Sequence, residues 1–331
     1  MRELAAILGR LETAGPAPRV LATLVSVEGS SYRRAGARAL FEADGGRLGS
    51  VSGGCLEEDI SERARAVAAS GRAELATYDT TSENDLVWGT GAGCHGVVRV
   101  LLERLAIRPD WAARLAENLR AGKPTDLAVV WQAGADGPAL GTVLGGELPD
   151  TAGGGIFRQT IPPAPALAIF GAGDDAQPLA RGAAELGWRV TVADPRPAFA
   201  TAARFPGAVL VVAPAGELVA RAAPPADALA VVMTHHYRHD LPVLRDLLPR
   251  SLAYLGLLGP RPRTDRMLAA LAADGLAVTP AQRSRLHAPV GLDLGAEAPE
   301  EVALSILAEM RAALSGRDAR PLRERTGPIH G

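Results

Sequence analysis

The sequence predicts an α/β protein of two domains: an N-terminal mixed α/β domain, then a domain built on a doubly wound parallel sheet. Its 331 residues exceed what one ordinary hydrophobic core holds. In the second half, short apolar segments alternate with helical patterns, as in parallel sheets covered by helices on both faces. Glycines at 153–155 and three prolines soon after them indicate a linker. We therefore place the domains at 1–150 and 166–331, joined by a linker at 151–165.

The first domain mixes helical spacing of apolar residues with extended segments bounded by glycine and proline. Its predicted elements are a helix over 1–15, a strand over 20–27, a hairpin over 38–42 and 47–51, a helix over 56–70, strands over 74–78 and 97–103, a helix over 109–122, and strands over 126–131 and 139–144.

The second domain has shorter and more apolar strands, which is typical of strands buried on both faces. Its predicted strands cover 167–170, 190–193, 209–212, 228–233 and 253–258. Its predicted helices cover 177–186, 241–248, 263–273 and 299–314.

Composition excludes several classes of protein. Hydrophobic residues make up 47% of the chain and charged residues 22%, so we expect a folded, soluble protein. A net charge of −2 gives no basic surface for nucleic acid, and no apolar run is long enough to span a bilayer. The N-terminus lacks the apolar core of a signal peptide, and two cysteines are too few for a disulfide framework. We expect a cytoplasmic protein with neither nucleic acid nor membrane as a partner.

The two cysteines both lie among glycines, in Gly49-Ser-Val-Ser-Gly-Gly-Cys55 and in Gly93-Cys94-His95-Gly96. A structural thiol normally packs among large apolar side chains, whereas glycines such as Gly53 and Gly54 let a ligand approach the backbone and the sulfur. The pattern therefore favours a sulfur site that holds a ligand or metal. Two structural thiols in glycine turns are the alternative, and zinc is disfavoured because neither loop has paired CxxC spacing.

A basic segment precedes the first cysteine. Arg33, Arg34 and Arg38 follow two serines in the densest polar stretch of the N-terminal domain. Guanidinium groups suit phosphate or a planar heterocycle better than lysine does. The alternative is an ordinary solvated loop.

A glycine turn opens the second domain. Gly171 and Gly173 stand between a predicted strand and helix, and Asp194 ends the next strand 21 residues after Gly173. In a Rossmann-like domain the first glycine permits the tight turn, the second admits a diphosphate, and the acidic residue accepts hydrogen bonds from ribose. Asp174 and Asp175 lie in the turn and would repel a diphosphate, which weighs against NAD(P).

Further candidates follow later strands of that domain. His235, His239 and Asp240 could coordinate a metal or move a proton, although no carboxylate partner for the histidines is identifiable. Arg261 or Arg263 could meet a phosphate. Two acidic residues, Asp293 and Glu297, could orient a ligand. The simpler interpretation is that they position the helix that begins at Pro299.

Several of these segments resemble the xanthine dehydrogenase accessory family (XdhC/CoxI type). In the first domain they are Glu28-Gly-Ser-Ser-x-Arg-Arg-x-Gly-Ala-Arg, the Cys55 loop with Leu-Glu after it, and Gly93-Cys-x-Gly. In the second they are Ile169-Phe-Gly-Ala-Gly, Arg189-Val-Thr-Val-Ala-Asp-Pro-Arg-Pro, Val232-Met-Thr-His-His, Leu257-Leu-Gly-Pro-Arg and Pro289-Val-Gly-Leu-Asp-Leu-Gly-Ala-Glu-Ala-Pro-Glu-Glu. The resemblance covers nearly the whole chain, although many relatives have histidine where this chain has Asp174.

The resemblance implies a chaperone without catalytic turnover, so no catalytic residue is assigned. Such proteins bind molybdenum cofactor (molybdopterin), support its sulfuration, and deliver it to a molybdenum hydroxylase apoenzyme of the xanthine dehydrogenase type. Carried onto this chain, Cys55 and Cys94 would face the molybdenum–sulfur centre, and the Rossmann turn would hold the pterin phosphate or a nucleotide extension. A cysteine desulfurase is left open as a second partner, and we expect a homo-oligomer.

Two other functions stay open. An NAD(P)-dependent oxidoreductase would use the same glycine turn, but no serine, tyrosine or lysine set typical of hydride transfer follows it. A purely redox role would require Cys55 and Cys94 to approach within disulfide reach.

Overall fold

The computed structural model describes residues 2–13, 15–79, 96–133, 138–148 and 154–326. The chain divides into two compact units, Met1–Pro163 and Ala164–Gly331. No helix in the described ranges is both long and apolar enough to cross a membrane.

Within its described residues, the first unit contains two antiparallel sheets and three α-helices. A five-stranded sheet has the order β3-β2-β1-β5-β4, and a three-stranded sheet has the order β7-β6-β8. The strands are β1 (Arg19–Gly29), β2 (Arg38–Glu42), β3 (Arg47–Gly49), β4 (Glu74–Asp79), β5 (Gly96–Leu105), β6 (Thr125–Ala133), β7 (Gly141–Leu144) and β8 (Gly154–Ile161). The helices are α1 (Arg2–Glu12), α2 (Glu57–Ser70) and α3 (Asp110–Arg120).

The larger sheet of this unit is buried on both faces, because successive side chains of a strand point to opposite sides. Val20, Ala22 and Leu24 of β1 belong to the core that includes α2. Leu21 of β1 and Leu40 of β2 belong instead to the core shared with α1, α3 and the smaller sheet. The β2 residue Arg38 is buried as well, and its guanidinium reaches Gln159 of the smaller sheet.

The smaller sheet differs from the sequence prediction. Residues 154–161, which we had placed in the linker, form β8 and pair antiparallel with β6 along its length. Ile161 is buried, and Phe157 packs against Val129. The glycine run led to the linker prediction. In the structure Gly155 is part of β8, where a Cβ would lie 2.6 Å from the ring of Trp131, so the strand needs glycine at this position.

The second unit is a Rossmann-like domain, as predicted. Its six parallel strands have the order β11-β10-β9-β12-β13-β14, in which the first strand of the unit, β9, stands next to both the second and the fourth. The strands are β9 (Ala166–Phe170), β10 (Arg189–Asp194), β11 (Val209–Val212), β12 (Leu229–Val232), β13 (Tyr254–Leu257) and β14 (Leu286–His287). The helices are α4 (Ala176–Glu185), α5 (Leu218–Ala222), α6 (Tyr237–Leu247), α7 (Arg261–Ala273), α8 (Pro280–Ser284) and α9 (Pro299–Ser315).

Helices cover both faces of this sheet. Leu167 and Ile169 of β9 pack in the core that contains α4 and α9, whereas Ala168 and Phe170 pack in the core that contains α6 and α7. The sequence missed α5, α8 and the two-residue strand β14, all too short to show a periodic pattern. The strand order reverses between β9 and β12, and ligands of doubly wound sheets bind at the carboxyl ends of the strands that flank this point.

Candidate functional site

The Ser30 loop and Gly96 approach each other at one end of the larger sheet of the first unit. Gly29, the last residue of β1, pairs with Gly96, the first residue of β5. A Cβ on Gly96 would lie 2.5 Å from the carbonyl oxygen of Ser30, so only glycine allows this approach. Cys94 and His95 lie outside the described residues. The position of Gly96 nevertheless brings the chain back to the Ser30 loop two residues after Cys94.

Cys55 is exposed, in the loop that leads into α2. Gly54 has a φ of +117°, a conformation that favours glycine. A Cβ on Gly53 would lie 3.2 Å from the ring of Tyr32, which sits in the Ser30 loop. The cysteine loop and the loop before β2 therefore touch through Gly53 and Tyr32.

A serine–glutamate network holds the cysteine loop in place. The carboxylate of Glu57 accepts hydrogen bonds from the backbone N–H of Ser52 at 2.9 Å, from the Ser50 hydroxyl at 2.7 Å, and from the Ser52 hydroxyl. The Ser52 oxygen in turn accepts from the N–H groups of Gly54 (3.1 Å) and Leu56 (3.2 Å). Much of the loop is thus tied to one buried carboxylate, directly or through Ser52.

Burial of the Glu57 carboxyl raises its pKa, but the hydrogen bonds from the two serines outweigh burial and lower the pKa to about 2. The group is ionised at neutral pH and anchors the loop. From the sequence alone, Glu57 was only one of three acidic residues after the cysteine. Its role is visible only in the structure, because the loop must fold back for Ser50 and Ser52 to reach Glu57 in the first turn of α2.

Arg33 and Arg34, two of the three arginines of the basic segment, lie beside α1. Arg33 makes an ion pair with Glu3 of α1, and Arg34 is exposed beside it. The neighbouring Tyr32, and not either arginine, contacts the cysteine loop. The structure brings Arg33 and Arg34 together with Arg38 instead, at a cleft beside α1.

In the second unit, the glycine turn is where the sequence placed it. Gly171 has a φ of +122°, and a Cβ there would lie 2.5 Å from the carbonyl oxygen of Met233, at the end of β12. A Cβ on Gly173 would lie 2.7 Å from a carboxylate oxygen of Asp175. The turn leads directly into α4, whose first residue, Ala176, is fully buried.

Asp194 is completely buried behind this turn. Its oxygens accept hydrogen bonds from the backbone N–H of Ala172 at 2.7 Å, from the N–H of Arg196 at 2.8 Å, and from the Arg196 guanidinium at 2.8 and 2.9 Å. Burial raises the pKa of Asp194, but these hydrogen bonds outweigh burial and lower the pKa below its ordinary value. The carboxylate is therefore ionised. It braces the glycine turn. Accepting ribose hydroxyls, the role that the sequence suggested, would require Arg196 to move.

The two aspartates of the turn are each paired with a basic side chain. Asp174 accepts a hydrogen bond from Arg204 at 3.0 Å. Asp175 accepts from Nε2 of His235 at 2.6 Å, and its second oxygen is buried with no hydrogen-bond partner in the described structure. The charge that we expected to repel a diphosphate is therefore offset in part by Arg204 and His235.

His235 has a φ of +60°, which is uncommon for a residue with a side chain, and this backbone directs its ring toward the turn. The hydrogen bond with Asp175 raises the pKa of His235, against the opposing effect of burial. The carboxylate partner that the sequence could not identify is thus Asp175, which lies 60 residues earlier in the chain.

Asp240 is fully buried, and its carboxylate holds the segment after β12 in place. It accepts hydrogen bonds from Thr234 (2.5 Å to the hydroxyl) and from Arg263 (2.5 Å). The rings of His236 and His239 stack, with centroids 4.5 Å apart. Within the described ranges, no group of three or more His, Cys, Asp or Glu side chains could hold a metal ion. The metal role considered for His235, His239 and Asp240 has no such geometry there.

Comparison with known proteins shows where the chain belongs. Residues 13–79 match the family model described as the XdhC and CoxI family, and residues 167–310 match the XdhC Rossmann domain. A Bacillus subtilis protein, named as a probable subunit of xanthine dehydrogenase, is 39% identical over 88% of this chain and 92% of its own length. The chain belongs to the XdhC and CoxI family. The resemblance noted in the sequence is confirmed.

Two further relatives extend the match. A crystal structure from Bacillus halodurans, described as a xanthine dehydrogenase, superposes with a TM-score of 0.82 at 31% identity, covering 98% of this chain and 99% of that one. An Escherichia coli protein named molybdenum cofactor insertion chaperone PaoD is 28% identical over 88% of this chain and 82% of its own length. The similarity therefore spans both units of this XdhC-type chain.

Proposed function

We propose that this XdhC-type chain is a maturation factor that binds molybdenum cofactor, supports its sulfuration, and delivers it to a molybdenum hydroxylase of the xanthine dehydrogenase type. Family membership supports an accessory role, and one relative is by name a molybdenum cofactor insertion chaperone. The observation that carries the proposal is the exposed Cys55 thiol, presented on glycines and held by the buried Glu57 network.

The chemistry of this loop suits a metal–sulfur cargo. Thiolate is a soft ligand, and soft ligands favour metals that already bind sulfur. Gly53 and Gly54 are exposed and add no side chains that would crowd a bulky complex. We propose that Cys55 and Cys94 hold or shield the molybdenum–sulfur centre. Fixing the loop lowers the entropy lost on binding.

The Rossmann unit is proposed to bind a nucleotide extension of the cofactor. Gly171 and Gly173 let the turn pack tightly against Met233 and Asp175 at the start of α4, and His235 is paired with Asp175 beside it. Asp194 contributes by fixing the turn. NAD(P) is the rival ligand, as in an oxidoreductase, and the engagement of Asp194 by Arg196 weighs against it.

The proposed partners follow from the cargo. The apoenzyme of a molybdenum hydroxylase receives it, and a cysteine desulfurase would supply the sulfur. We propose that the chain acts in the cytoplasm as a homo-oligomer.

Cofactor content after purification tests the proposal. The full chain and its Cys55→Ser, Cys94→Ser double variant are purified from a host that makes molybdenum cofactor, and molybdenum and pterin are measured in each. We expect bound pterin in the parent chain and a loss of at least about tenfold in the variant, since one lost ligand bond costs about 1.4 kcal/mol or more. Ser70→Ala, at the far end of α2, is the control and should retain the cofactor.

Two results would count against this function. Equal pterin content in the parent and the double variant would show that the cysteines do not bind the cofactor. Tight binding of NADH in a fluorescence titration, without any bound pterin, would favour the oxidoreductase instead. Free thiols that survive mild oxidation unpaired would in turn exclude the purely redox role.

A further inference from the structure

A separate cleft of about 350 Å³ lies in the first unit, bounded by α1, by residues 33–38, and by β8. Its lining includes the three arginines of the basic segment, the backbone of Gly36, and the side chain of Gln159. This volume is within the range of small-molecule sites.

Arg38 is the unusual member of this lining, because its buried side chain touches no charged partner in the described ranges. The residue is 5% exposed. One guanidinium nitrogen donates to the carbonyl of Gly36 at 3.0 Å and to the amide oxygen of Gln159 at 3.1 Å. Nε and the other terminal nitrogen have no hydrogen-bond partner in the described structure. Buried cations are normally paired, because leaving one unpaired costs several kcal/mol.

The buried acidic group that acts on Arg38 does not resolve this imbalance. Glu103, also buried between the sheets, is bound by the N–H and hydroxyl of Thr142 and acts on Arg38 only through its charge. Burial lowers the pKa of Arg38 to about 10, with Glu103 offsetting part of the effect. Arg38 is therefore still a cation at neutral pH.

The rest of the lining adds positive charge. Arg33 is paired with Glu3, which also lines the cleft. Arg34 is exposed, and no ion pair joins it to the described parts of the chain. Three guanidinium groups thus face one carboxylate, and the amide oxygen of Gln159 occupies a place where an anionic oxygen would bond to Arg38 about twice as strongly.

We propose that this cleft is a binding site for a phosphate monoester, with Arg38 as its buried anchor and Arg34 as its outer contact. A dianion would neutralise these two guanidinium groups, and arginine forks bind phosphate oxygens in pairs. The ligand displaces the amide of Gln159 from Arg38. The proposal does not depend on what Cys55 binds.

Calorimetric titration of the full chain with phenyl phosphate tests the site. The decisive variant is Gln159→Glu, nearly identical in shape, which places a carboxylate against Arg38. We expect it to weaken phenyl phosphate binding at least about tenfold, the effect of losing one charged hydrogen bond. It should also raise the thermal midpoint of the unliganded protein, because the buried cation gains a partner. Arg34→Gln, on the surface, should weaken binding without affecting folding.

The matched control is Gln132→Glu, which adds the same charge on the adjacent strand β6 and should leave binding unchanged. Absence of phenyl phosphate binding by the parent chain would overturn the proposal, as would equal loss in Gln132→Glu and Gln159→Glu.

The source of the phosphate is resolved by a second titration. Protein loaded with pterin is compared with protein from a host that makes no molybdenum cofactor. If only the unloaded protein takes up phenyl phosphate, the cofactor's own phosphate fills the cleft; if both do, the ligand is a free phosphate metabolite. Phenyl phosphate binding is measured on the unloaded protein by itself. The phosphate site can therefore be tested even if the proposed maturation function is wrong.

Discussion

Glu57 shows how a single residue can hold the Cys55 loop in this family member. Its carboxylate gathers the hydroxyls and backbone of Ser50 and Ser52 under Cys55. We predict that Glu57→Gln lowers the free energy of unfolding by about 1–3 kcal/mol at neutral pH, since the amide replaces a charged acceptor of several hydrogen bonds. Chemical unfolding measures this. Glu58→Gln, its exposed neighbour, should change stability by less than about 0.5 kcal/mol.

The same residue predicts a pH dependence. The folded pKa of Glu57, about 2, lies below that of the unfolded chain, so its stabilisation is present above the unfolded value. It is lost as the pH falls from there toward 2. The difference in stability between the parent and Glu57→Gln should therefore shrink over that acidic range, and a constant difference would contradict the ionised anchor.

Residue types were easier to predict from the sequence than their partners. Gly171 was singled out because a glycine turn after a strand has a local signature, and His235 because it follows a later strand of the same domain. The pairing of His235 with Asp175 had none, since 60 residues separate the two and only the parallel order of β9 and β12 brings them together. Arg38 was likewise seen as one cation in a loop, whereas the packing of two sheets makes it a buried one.

At the scale of elements, long periodic segments were predicted well and short or glycine-rich ones poorly. The helix predicted over 56–70 forms as Glu57–Ser70, and the helix predicted over 299–314 forms as Pro299–Ser315. Strand β8 was taken for linker, because its glycines resemble flexible chain. Local composition could not reveal that one of them accommodates an indole ring across the sheet.

That contact gives a prediction for β8. Gly155→Ala would place a methyl group 2.6 Å from the ring of Trp131, so the ring or the strand must move. We expect a loss of about 1–3 kcal/mol in the free energy of unfolding, the usual cost of overpacking. Gly146→Ala is the control, because a Cβ there meets nothing within 4 Å. Equal effects of the two substitutions in urea unfolding would show that the Trp131 contact has no energetic role.

At the scale of the whole molecule, the order of helices and strands was enough to predict the class of fold and the parallel sheet of the second unit. The layered first unit was not predictable in the same way. Its two sheets are joined by side chains that alternate between faces, and the pairing of β6 with β8 depends on a segment outside the predicted domain. The position at which the chain divides follows from this pairing.

Fragments of the chain can therefore test the division. A fragment covering 1–163 keeps β8, whereas one covering 1–150 removes it and uncovers the apolar face of β6. Loss of the buried Ile161 and the half-buried Phe157 side chains should cost about 2–5 kcal/mol, since full burial of such a side chain is worth about 1.5–3 kcal/mol. That is a large part of the roughly 5–15 kcal/mol that stabilises a domain. We expect cooperative urea unfolding, followed by circular dichroism, for 1–163 and a broad or absent transition for 1–150. If both fragments unfold with the same midpoint and cooperativity, β8 is not an integral part of the first unit and the division belongs nearer residue 150.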